Sequence, residues 1–542
     1  MTDSRVLCIG LDAACFEQLS PLIEAGELEH LPALFDRGTA GTLTTTTPPW
    51  TPSAWQSITT GTTPWTHGIY DFYDYTGTAP HLVSATDLQV PYLWEYLDAA
   101  GHKSIVVNVP VTHPVHQISG SIVPGYLAPE SAEVLIDGEV SDQSTLNDTY
   151  RIYARDRTDR TARIDENERL IRSRVAAAET LAGRHDWSFM MVQFQRTDSI
   201  FHTMGHDEEA VRRVYQTVDE AVGTLLELVG DETTVLVVSD HGIHEYDGIF
   251  RCNTWLRDRG WVQTSGDAER YSWGETTKPT ATDETGSTAV SHRLVGAGLS
   301  VFQRLGLTPQ RTERALRFVG LADPVRKRLP DELLIDSMAH VDWGASQAYC
   351  RSVSSLGIRC NVEGREPDGV VPSADFDGVR TQLIEALRAV RGPDGTAVFE
   401  DVYDRHERHG SDVANEASAP DIVVCPTEMR WKVTDVVREP MFDATTEFSH
   451  TYDGLFAAAG PSIVTDAPGN VHATDIAPTI LALFGHRPAP VMEGEVPAEL
   501  LSVNEASLHP APTPGARYYP SDTDTEPSAA VTDRLSEMGY LE

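Results

Sequence analysis

The segment Val6-Leu-Cys-Ile-Gly-Leu-Asp12 begins as an apolar run and ends on a carboxylate. Its apolar side chains follow one another without polar alternation, which is typical of a strand that is buried on both faces of a parallel sheet. Asp12 stands where this strand would end. Because ligands of such sheets bind beyond the carboxyl ends of the strands, the segment predicts both a fold class and the position of a site.

Short apolar runs of the same kind recur along the chain, and helical patterns separate them. The predicted strands are residues 6–11, 104–109, 189–194, 234–238, 422–424 and 455–458. The predicted helices are residues 92–100, 167–182, 208–229 and 475–484. This alternation predicts an α/β fold with a doubly wound, mostly parallel central sheet and helices on both of its faces.

Two stretches interrupt this alternation. Residues 264–330 open with Gly, Ser, Thr and acidic residues and continue as an arginine-containing helical pattern near 295–318, which we interpret as an insertion. Residues 342–413 have a small α/β pattern of their own. We therefore expect an inserted cap at 264–413, between a first core part at 1–263 and a second core part at 414–510. Residues 511–542 predict a linker and a C-terminal helix.

The charge balance excludes one class of function. The 542 residues include 42 Lys and Arg against 81 Asp and Glu, a formal net charge of −39. A protein that binds nucleic acid through a basic surface is thereby excluded. Lysine occurs only at residues 103, 278, 327 and 432. We interpret this acid-rich, lysine-poor composition as that of a high-salt cytosol, where salt screens repulsion between like charges. An ordinary acidic, soluble enzyme is the alternative.

Cysteine usage and the N-terminal residues predict a cytoplasmic protein. The six cysteines contain no C-x-x-C pair, which argues against a disulfide scaffold and a structural zinc site. The first residues carry neither a basic n-region nor a long apolar h-region. Apolar runs stay far below the ~20 residues of a membrane-spanning helix. We expect no membrane span, and the sequence predicts no oligomeric state.

Asp and His residues follow several of the predicted strands. Asp12 follows the first strand, and Asp240-His241 follows residues 234–238. Asp198 and His202 are spaced i and i+4 after residues 189–194, which places both on one helix face. His450 precedes residues 455–458. Each motif alone also fits a helix cap or an ordinary polar residue, but their recurrence at strand ends indicates a site for zinc or manganese.

Thr51 is the candidate nucleophile. It precedes Pro52, and proline is favoured at the first position of a helix, so Thr51 is predicted to be an N-cap. A hydroxyl there lies beside free backbone amides and the positive end of the helix dipole, and it can face a phosphoryl group. In isolation, the same pattern also fits a residue that only caps the helix.

Together, these motifs resemble the alkaline phosphatase superfamily. Asp12, Thr51, Asp198-x-x-x-His202, Asp240-His241 and His450 occur in the order found there, and the chain is most similar to the type I phosphodiesterase and nucleotide pyrophosphatase branch. Several further segments resemble a microbial group of phosphohydrolases or phosphomutases; they lie at residues 55–72, 108–110, 250–256, 361–365 and 475–479. The likeness covers most of the chain and is weakest at 264–330 and in the tail.

The resemblance implies a site with two divalent metal ions, with zinc preferred and manganese as the alternative. Asp198, His202 and His450 would hold one ion. The other would be held by Asp12, Asp240 and His241, together with the Thr51 oxygen. The implied partner is a small phosphorylated substrate. The implied reaction is hydrolysis of its phosphodiester, pyrophosphate or phosphomonoester bond through a covalent intermediate on Thr51.

One position departs from the branch. Many of its members have a segment similar to Thr-x-Pro-Asn, in which the Asn helps to bind a phosphoryl oxygen. This chain has Ala54 at the position of that Asn. Oxyanion binding would then shift to backbone amides near Thr51 or to another side chain. Arg196 and Arg251 are candidates for a bidentate phosphate contact, and Asn108 and Trp50 for lining the pocket.

Two other functions stay open. A phosphomutase of the same superfamily would pass the phosphoryl group to a second hydroxyl of the substrate. A catalytically silent relative would only bind a phosphorylated ligand. A sulfatase is disfavoured, because its nucleophile is a Cys or Ser in a C/S-x-P-x-R context, and Thr51 is followed by Pro-Ser-Ala.

Overall fold

The structure is a computed structural model that describes residues 5–76, 80–146, 150–184, 186–265, 340–465, 470–502 and 505–519, with 531, 532 and 535. The expected insertion at 264–330 and the expected C-terminal helix lie largely outside these residues. The strands of the described ranges are Arg5–Leu11 (β1), Thr39–Thr44 (β2), Tyr73–Asp74 (β3), His81–Leu82 (β4), Ser104–Val107 (β5), Ser121–Val123 (β6), Val134–Ile136 (β7), Glu139–Ser141 (β8), Phe189–Phe194 (β9), Thr233–Val238 (β10), Gly242–Glu245 (β11), Gly248–Arg251 (β12), Thr264–Ser265 (β13), His340–Val341 (β14), Ala348–Tyr349 (β15), Gly357–Cys360 (β16), Phe399–Asp404 (β17), Ile422–Pro426 (β18), Trp431–Thr434 (β19), Phe442–Ala444 (β20), Phe448–Thr451 (β21), Asp453–Ala459 (β22) and Val471–His472 (β23).

The α-helices of the same ranges connect these strands. They are Phe16–Glu24 (α1), His30–Arg37 (α2), Thr51–Thr60 (α3), Pro64–His67 (α4), Leu93–Ala99 (α5), Arg160–Ala182 (α6), Arg196–Met204 (α7), Glu208–Val229 (α8), Cys252–Asp258 (α9), Phe376–Arg388 (α10), Arg405–His409 (α11) and Ile476–Leu483 (α12). Within the described residues, none is a long apolar helix of the kind that crosses a bilayer.

A ten-stranded sheet forms the core, in the order β23-β2-β22-β10-β1-β9-β5-β6-β7-β8. The central strands β10, β1, β9, β5 and β6 are all parallel to one another. Their side chains are almost all apolar and fully buried, as in β1 and β9. The predicted doubly wound, mostly parallel α/β sheet is therefore confirmed.

Two predicted strands occupy other places than the sequence suggested. Residues 455–458 lie in β22, which runs antiparallel to both β10 and β2. Residues 422–424 lie in β18, which belongs not to the central sheet but to a separate four-stranded sheet in the order β15-β16-β18-β17. A short apolar run indicates a buried strand, but neither its direction nor its partner.

The four-stranded sheet is the main part of the expected cap that the structure describes. It is antiparallel, and helix α10 packs on β17 and β16. Its strand β18 extends to Pro426, beyond residue 413. The division of the chain at residues 263, 413 and 510 stays a prediction.

The tail is held against the first core part. The Nη2 atom of Arg517 lies 2.8 Å from Oε2 of Glu95 and donates to the carbonyl of Val90 at 2.7 Å. The hydroxyl of Tyr519 donates to the carbonyl of Ala85. Residues 511–519 thus follow the core surface without regular secondary structure.

Candidate functional site

Three aspartates meet at one edge of the central sheet. Asp12 follows β1, Asp240 follows β10, and Asp198 lies in α7, which begins directly after β9. Because β10, β1 and β9 are adjacent and parallel, their carboxyl ends share this edge. All three carboxylates are buried. The structure therefore brings together residues that are far apart in the sequence.

Asp12, Asp240 and His241 form the first cluster, here called the aspartate-rich group. Nε2 of His241 lies 3.1 Å from Oδ2 of Asp240 and 3.6 Å from Oδ1 of Asp12. One ligand atom from each of the three residues lies within 4.8 Å of the others. This spacing suits a single cation between them.

Asp198, His202 and His450 form the second cluster, the histidine-rich group. Oδ1 of Asp198 lies 3.1 Å from Nε2 of His202 and 3.4 Å from Nε2 of His450. His450 arrives on β21, which pairs with β11 so that His450 is opposite Ile243. Its ring stacks on that of His241 with 3.6 Å between centroids, so the two groups are adjacent.

Backbone carbonyls orient two of these imidazoles. Nδ1 of His241 lies 3.0 Å from the carbonyl oxygen of Gly242, and Nδ1 of His450 lies 3.0 Å from that of Pro49. A carbonyl accepts only, so Nδ1 carries the proton in the neutral ring of both histidines. Each Nε2 then presents its lone pair to its group, which is the tautomer that a metal ligand requires.

Two carboxylate oxygens of the aspartate-rich group have no hydrogen-bond donor among the described residues. They are Oδ1 of Asp12 and Oδ2 of Asp240, both buried. The other oxygen of Asp12, Oδ2, accepts from Nε1 of Trp55 at 3.0 Å and from Nε2 of Gln193 at 2.6 Å. A buried carboxylate oxygen without a partner is costly. The donor set therefore fits a divalent cation of the zinc or manganese type.

The carboxylate pKa values of the two groups are shifted in opposite directions. Burial, together with the charges of Asp240 and Asp198, raises the pKa of Asp12 well above its usual range, and burial also raises the pKa of Asp240. Burial acts in the same direction on Asp198, but His202 and His450 outweigh it and hold its pKa well below the usual value. Negative charge thus remains least compensated in the aspartate-rich group.

Thr51 lies beside this group. Its Oγ1 is 3.3 Å from Nε2 of His241, and the residue is 1% exposed. Helix α3 carries it, and the Trp55 that bonds Asp12 is one turn further along the same helix. The close approach of Trp55 to β1 requires Gly10, because a Cβ there would meet the indole at 2.5 Å.

The prediction that Thr51 is an N-cap is wrong by one residue. The carbonyl of Trp50 accepts from the amides of Ser53 and Ala54, so Trp50 is the N-cap and Thr51 the first helical residue. Pro52 has no N–H, and the amides of Ser53 and Ala54 are bonded to Trp50, so the amide of Thr51 is a backbone donor that remains at this end of the helix. Fewer backbone amides near Thr51 are thus available to bind a phosphoryl oxygen than the sequence suggested.

The three predicted substrate-binding residues differ in their surroundings. Arg196 is the first residue of α7 and is largely buried, two positions before Asp198. Asn108 is bonded to Gln193 and Arg174. Arg251 donates to the carbonyl of Pro440 at 2.5 Å and lies 3.3 Å from a carboxylate oxygen of Asp443.

Sequence reasoning missed Gln193 and Trp55, the two donors to Asp12. Gln193 left a visible signal, because it is the polar residue in β9, a strand of otherwise apolar and fully buried residues. Trp55 left none, since a tryptophan in a buried helix is ordinary core packing.

The family model of type I phosphodiesterases / nucleotide pyrophosphatases matches residues 6–298, more than half of the chain. The chain belongs to this family. It is thus a phosphoric ester hydrolase of the alkaline phosphatase superfamily, as the resemblance implied. His450 lies beyond the matched residues. No curated protein sequence matches the chain.

Solved structures resemble this type I phosphodiesterase family member at low identity. A mutant of the alkaline phosphatase PafA has 13% identity and a TM-score of 0.51, over 91% of this chain and 98% of that chain. Murine ectonucleotide pyrophosphatase / phosphodiesterase 5 has 13% identity and a TM-score of 0.48, over 92% and 100%. Phosphonoacetate hydrolase from Sinorhizobium meliloti 1021 has 16% identity and a TM-score of 0.46, over 88% and 94%. The first of these likenesses shows the alkaline phosphatase-like fold.

Proposed function

We propose that this family member hydrolyses phosphodiester or pyrophosphate bonds, or phosphomonoesters, through a covalent phosphothreonine at Thr51. The observation that carries the proposal is the position of the Thr51 hydroxyl, 3.3 Å from His241 and beside a buried carboxylate group with open oxygens. A threonine hydroxyl is too weak an acid to attack unaided, and we propose that a cation beside it supplies the activation.

Two divalent cations are part of the proposal. The histidine-rich group would hold one, and the aspartate-rich group with the Thr51 oxygen would hold the other. When bound, such a pair of cations lowers the pKa of the attacking hydroxyl and neutralises charge on the leaving oxygen. Zinc is preferred and manganese is the alternative, because mixed Asp and His ligands accept both.

The residues of the chain supply the geometry of the reaction. The Thr51 hydroxyl gives up its proton to solvent and its oxygen attacks phosphorus, while the bond from phosphorus to the leaving oxygen breaks and that oxygen takes up a proton from solvent. The phosphoryl group stays on Thr51. Water then attacks the same phosphorus and loses a proton, the bond to the Thr51 oxygen breaks, and this oxygen takes up a proton so that the hydroxyl is restored. The N-terminal end of α3 favours the negative charge that develops at both steps.

A donor for the phosphoryl oxygen is needed in place of the side chain that Ala54 lacks. The amide of Thr51 is one. Nε1 of Trp50 is a second, because it is buried without a hydrogen-bond partner among the described residues, and its ring lies 4.9 Å from that of His450. Arg196 is the predicted phosphate contact that we retain here, since it shares α7 with Asp198 and His202.

The test compares hydrolysis of bis-p-nitrophenyl phosphate and p-nitrophenyl phosphate by wild type, Thr51→Ala and Thr59→Ala, with zinc or manganese, at low and at molar salt. Thr59 is a matched control, because it is a buried threonine of the same helix whose hydroxyl donates to the carbonyl of Trp55. We expect Thr51→Ala to lower activity by about 10³-fold or more and Thr59→Ala to retain it. The faster substrate separates diester from monoester.

An acid quench during turnover tests the intermediate. Phosphate should be found on the peptide that contains Thr51, and equal activity of wild type and Thr51→Ala would contradict the proposal. Transfer of the phosphoryl group to a second substrate hydroxyl would identify a mutase. Two bound metal equivalents without turnover would identify a silent binder.

A further inference from the structure

A row of buried polar side chains leads from Asp12 away from the site. Nε2 of Gln193 donates to Oδ2 of Asp12 at 2.6 Å. Nδ2 of Asn108 donates to Oε1 of Gln193 at 2.7 Å, and Nη2 of Arg174 donates to Oδ1 of Asn108 at 3.1 Å. These four side chains, here called the relay, connect β1, β9, the end of β5 and α6, and all are buried.

The chemistry of its two ends fixes the direction of every hydrogen bond in the relay. A guanidinium group only donates, so the atom of Asn108 that faces Arg174 is the carbonyl oxygen. The amide nitrogen of Asn108 must then face Gln193, and the amide nitrogen of Gln193 must face Asp12. Neither amide can be reversed without placing two donors or two acceptors against each other. Asp12 is therefore held as an acceptor through Oδ2.

Arg174 is an unusual end point, because it is a buried cation without a carboxylate in salt-bridge distance among the described residues. Its remaining hydrogen bonds go to the carbonyls of Arg151, Ile152 and Leu170 and to the hydroxyl of Ser173. The guanidinium also lies 5.2 Å from the ring centroid of Tyr150, and the charge of Glu130 acts on it from beyond salt-bridge distance. Burying a charge without a directly paired carboxylate is costly. The relay links it to the carboxylate cluster, where negative charge is in excess.

The backbone at Asn108 is adapted to this position. Asn108 has a φ of 64°, a left-handed conformation that asparagine tolerates better than most residues. Gly125 packs so closely that a Cβ there would meet the carbonyl oxygen of Asn108 at 2.0 Å. The side-chain amide is thus presented to Gln193 from a constrained turn at the end of β5.

We propose that Arg174, Asn108 and Gln193 are positioning residues that turn Oδ2 of Asp12 into the protein and leave Oδ1 facing the cation of the aspartate-rich group. This rests on the proposed function, because it takes that group to be a metal site. In this role the three residues act through Asp12 and not through contact with substrate. Their effect is on how tightly one of the two ions is held.

Asn108→Asp is the sharpest test, because it separates positioning from structural support. The introduced carboxylate would pair with Arg174 but would lose the hydrogen bond that Nδ2 of Asn108 donates to the main-chain carbonyl of Gln193 at 3.1 Å, so a purely structural role predicts a change in the stability of the metal-free protein without selective weakening of one zinc site. The carboxylate cannot donate to Gln193, so the Gln193 amide must turn its nitrogen towards position 108 and its oxygen towards Asp12. The oxygen of Gln193 then faces Oδ2 of Asp12, so that Asp12 loses the hydrogen bond that it accepts from Gln193.

Zinc binding to metal-free protein is the readout, measured by competition with a chromophoric chelator, together with thermal unfolding of the same metal-free samples. Gln193→Met is the second variant, because it removes the donor to Asp12 at similar volume. Ser173→Ala is the control, because it removes a hydrogen bond of Arg174 outside the relay. We expect both relay variants to weaken one of two zinc sites by about 10-fold to 100-fold, and Ser173→Ala to weaken neither.

Several outcomes would overturn the relay. These are wild-type affinity at both sites in both variants, or equal weakening of both sites with a lowered unfolding temperature of the metal-free protein. If Asn108→Asp does not fold, Gln193→Met alone decides between these results. Wild-type protein that binds neither zinc nor manganese would overturn the proposed function and the relay with it, whereas wild-type binding with unaltered variants overturns the relay alone.

Discussion

Two clusters of charged side chains, each centred on a fully buried aspartate, differ in how their charges are balanced. Beside the four-stranded sheet, four guanidinium groups meet three carboxylates; this arginine network consists of Arg351, Arg359, Arg365, Arg405, Glu366, Glu416 and Asp421. Arg365 donates to both oxygens of Asp421, at 2.8 and 2.7 Å. In the aspartate-rich group, by contrast, Asp12 and Asp240 each leave an oxygen open.

The difference shows how a structural cluster can be told from a binding cluster. Charges that are neutralised within the protein hold segments together and need no ligand. Buried acceptors left open cost free energy unless something outside the chain completes them. The same residue types therefore indicate packing in one region and a cation site in the other.

The largest expected effect is that of a substitution in the aspartate-rich group. Asp240→Asn keeps the volume of the side chain but removes the charge that a cation would neutralise, so we expect activity on nitrophenyl phosphates to fall by at least about 10³-fold, equivalent to about 4 kcal/mol. Metal analysis of the purified variant should show one equivalent fewer than wild type. Wild-type activity with full metal content would remove the distinction between the clusters.

A substitution in the arginine network should lower the stability of the fold. Asp421→Asn leaves the facing guanidinium groups without their buried partner, so we expect the free energy of unfolding to fall by about 3–5 kcal/mol in urea denaturation. Asp401→Asn is the matched control, because the Asp401–Arg408 pair at 2.9 Å is exposed. Its effect should stay below about 1 kcal/mol. Similar losses in both variants would show that burial does not distinguish these pairs.

Metal removal should act on one cluster alone. Because cations bind the folded state, a chelator should lower the free energy of unfolding by about 3–4 kcal/mol when the metal had been present at 100 to 1,000 times its dissociation constant. Calorimetry with and without added zinc measures this loss. Asp421→Asn should lose as much as wild type on chelation, and Asp240→Asn less. An unfolding temperature that is the same with and without the chelator would contradict the cation site.

The smallest expected effect is a pH dependence of the arginine network. Burial would raise the pKa of Asp421, but hydrogen bonds from His406 and Arg365 and the charge of Arg359 hold it well below the usual value. A lowered carboxylate pKa stabilises the fold above the unfolded-state pKa, and this contribution is lost as the pH falls below it. Between pH 5 and 3 we expect a loss of about 1 kcal/mol that Asp421→Asn lacks, measured by urea denaturation.

Much of the fold could be predicted, because local pattern and tertiary burial agree in the central strands. Residues 189–194 and 208–229 form a strand and a helix with the predicted bounds. Helix α6 begins at Arg160 instead of 167, because the side chain of Asp159 caps it by accepting from the amide of Ala162. The placement of 422–424 failed because an apolar run contains no information about which sheet it joins.

The candidate site was predictable where its residues follow strands and unpredictable where they depend on contacts. Asp12, Asp198 and Asp240 could be grouped because parallel strand ends share an edge. The loss of the Ser53 and Ala54 amides to the Trp50 carbonyl depends on the residue at which the helix begins, which the sequence pattern alone does not fix. The relay depends on side-chain directions that only the packed chain defines.

The place of β22 has a consequence for synthesis on the ribosome. β22 lies between β10 and β2, although both of its neighbours are made long before it. In a nascent chain that has emerged through β10, the edges of β10 and β2 that β22 joins are therefore unpaired. They stay unpaired until the cap has been translated and Asp453–Ala459 has been made. Open edges of this kind invite pairing with other chains, so this is the interval in which the growing protein most needs a chaperone.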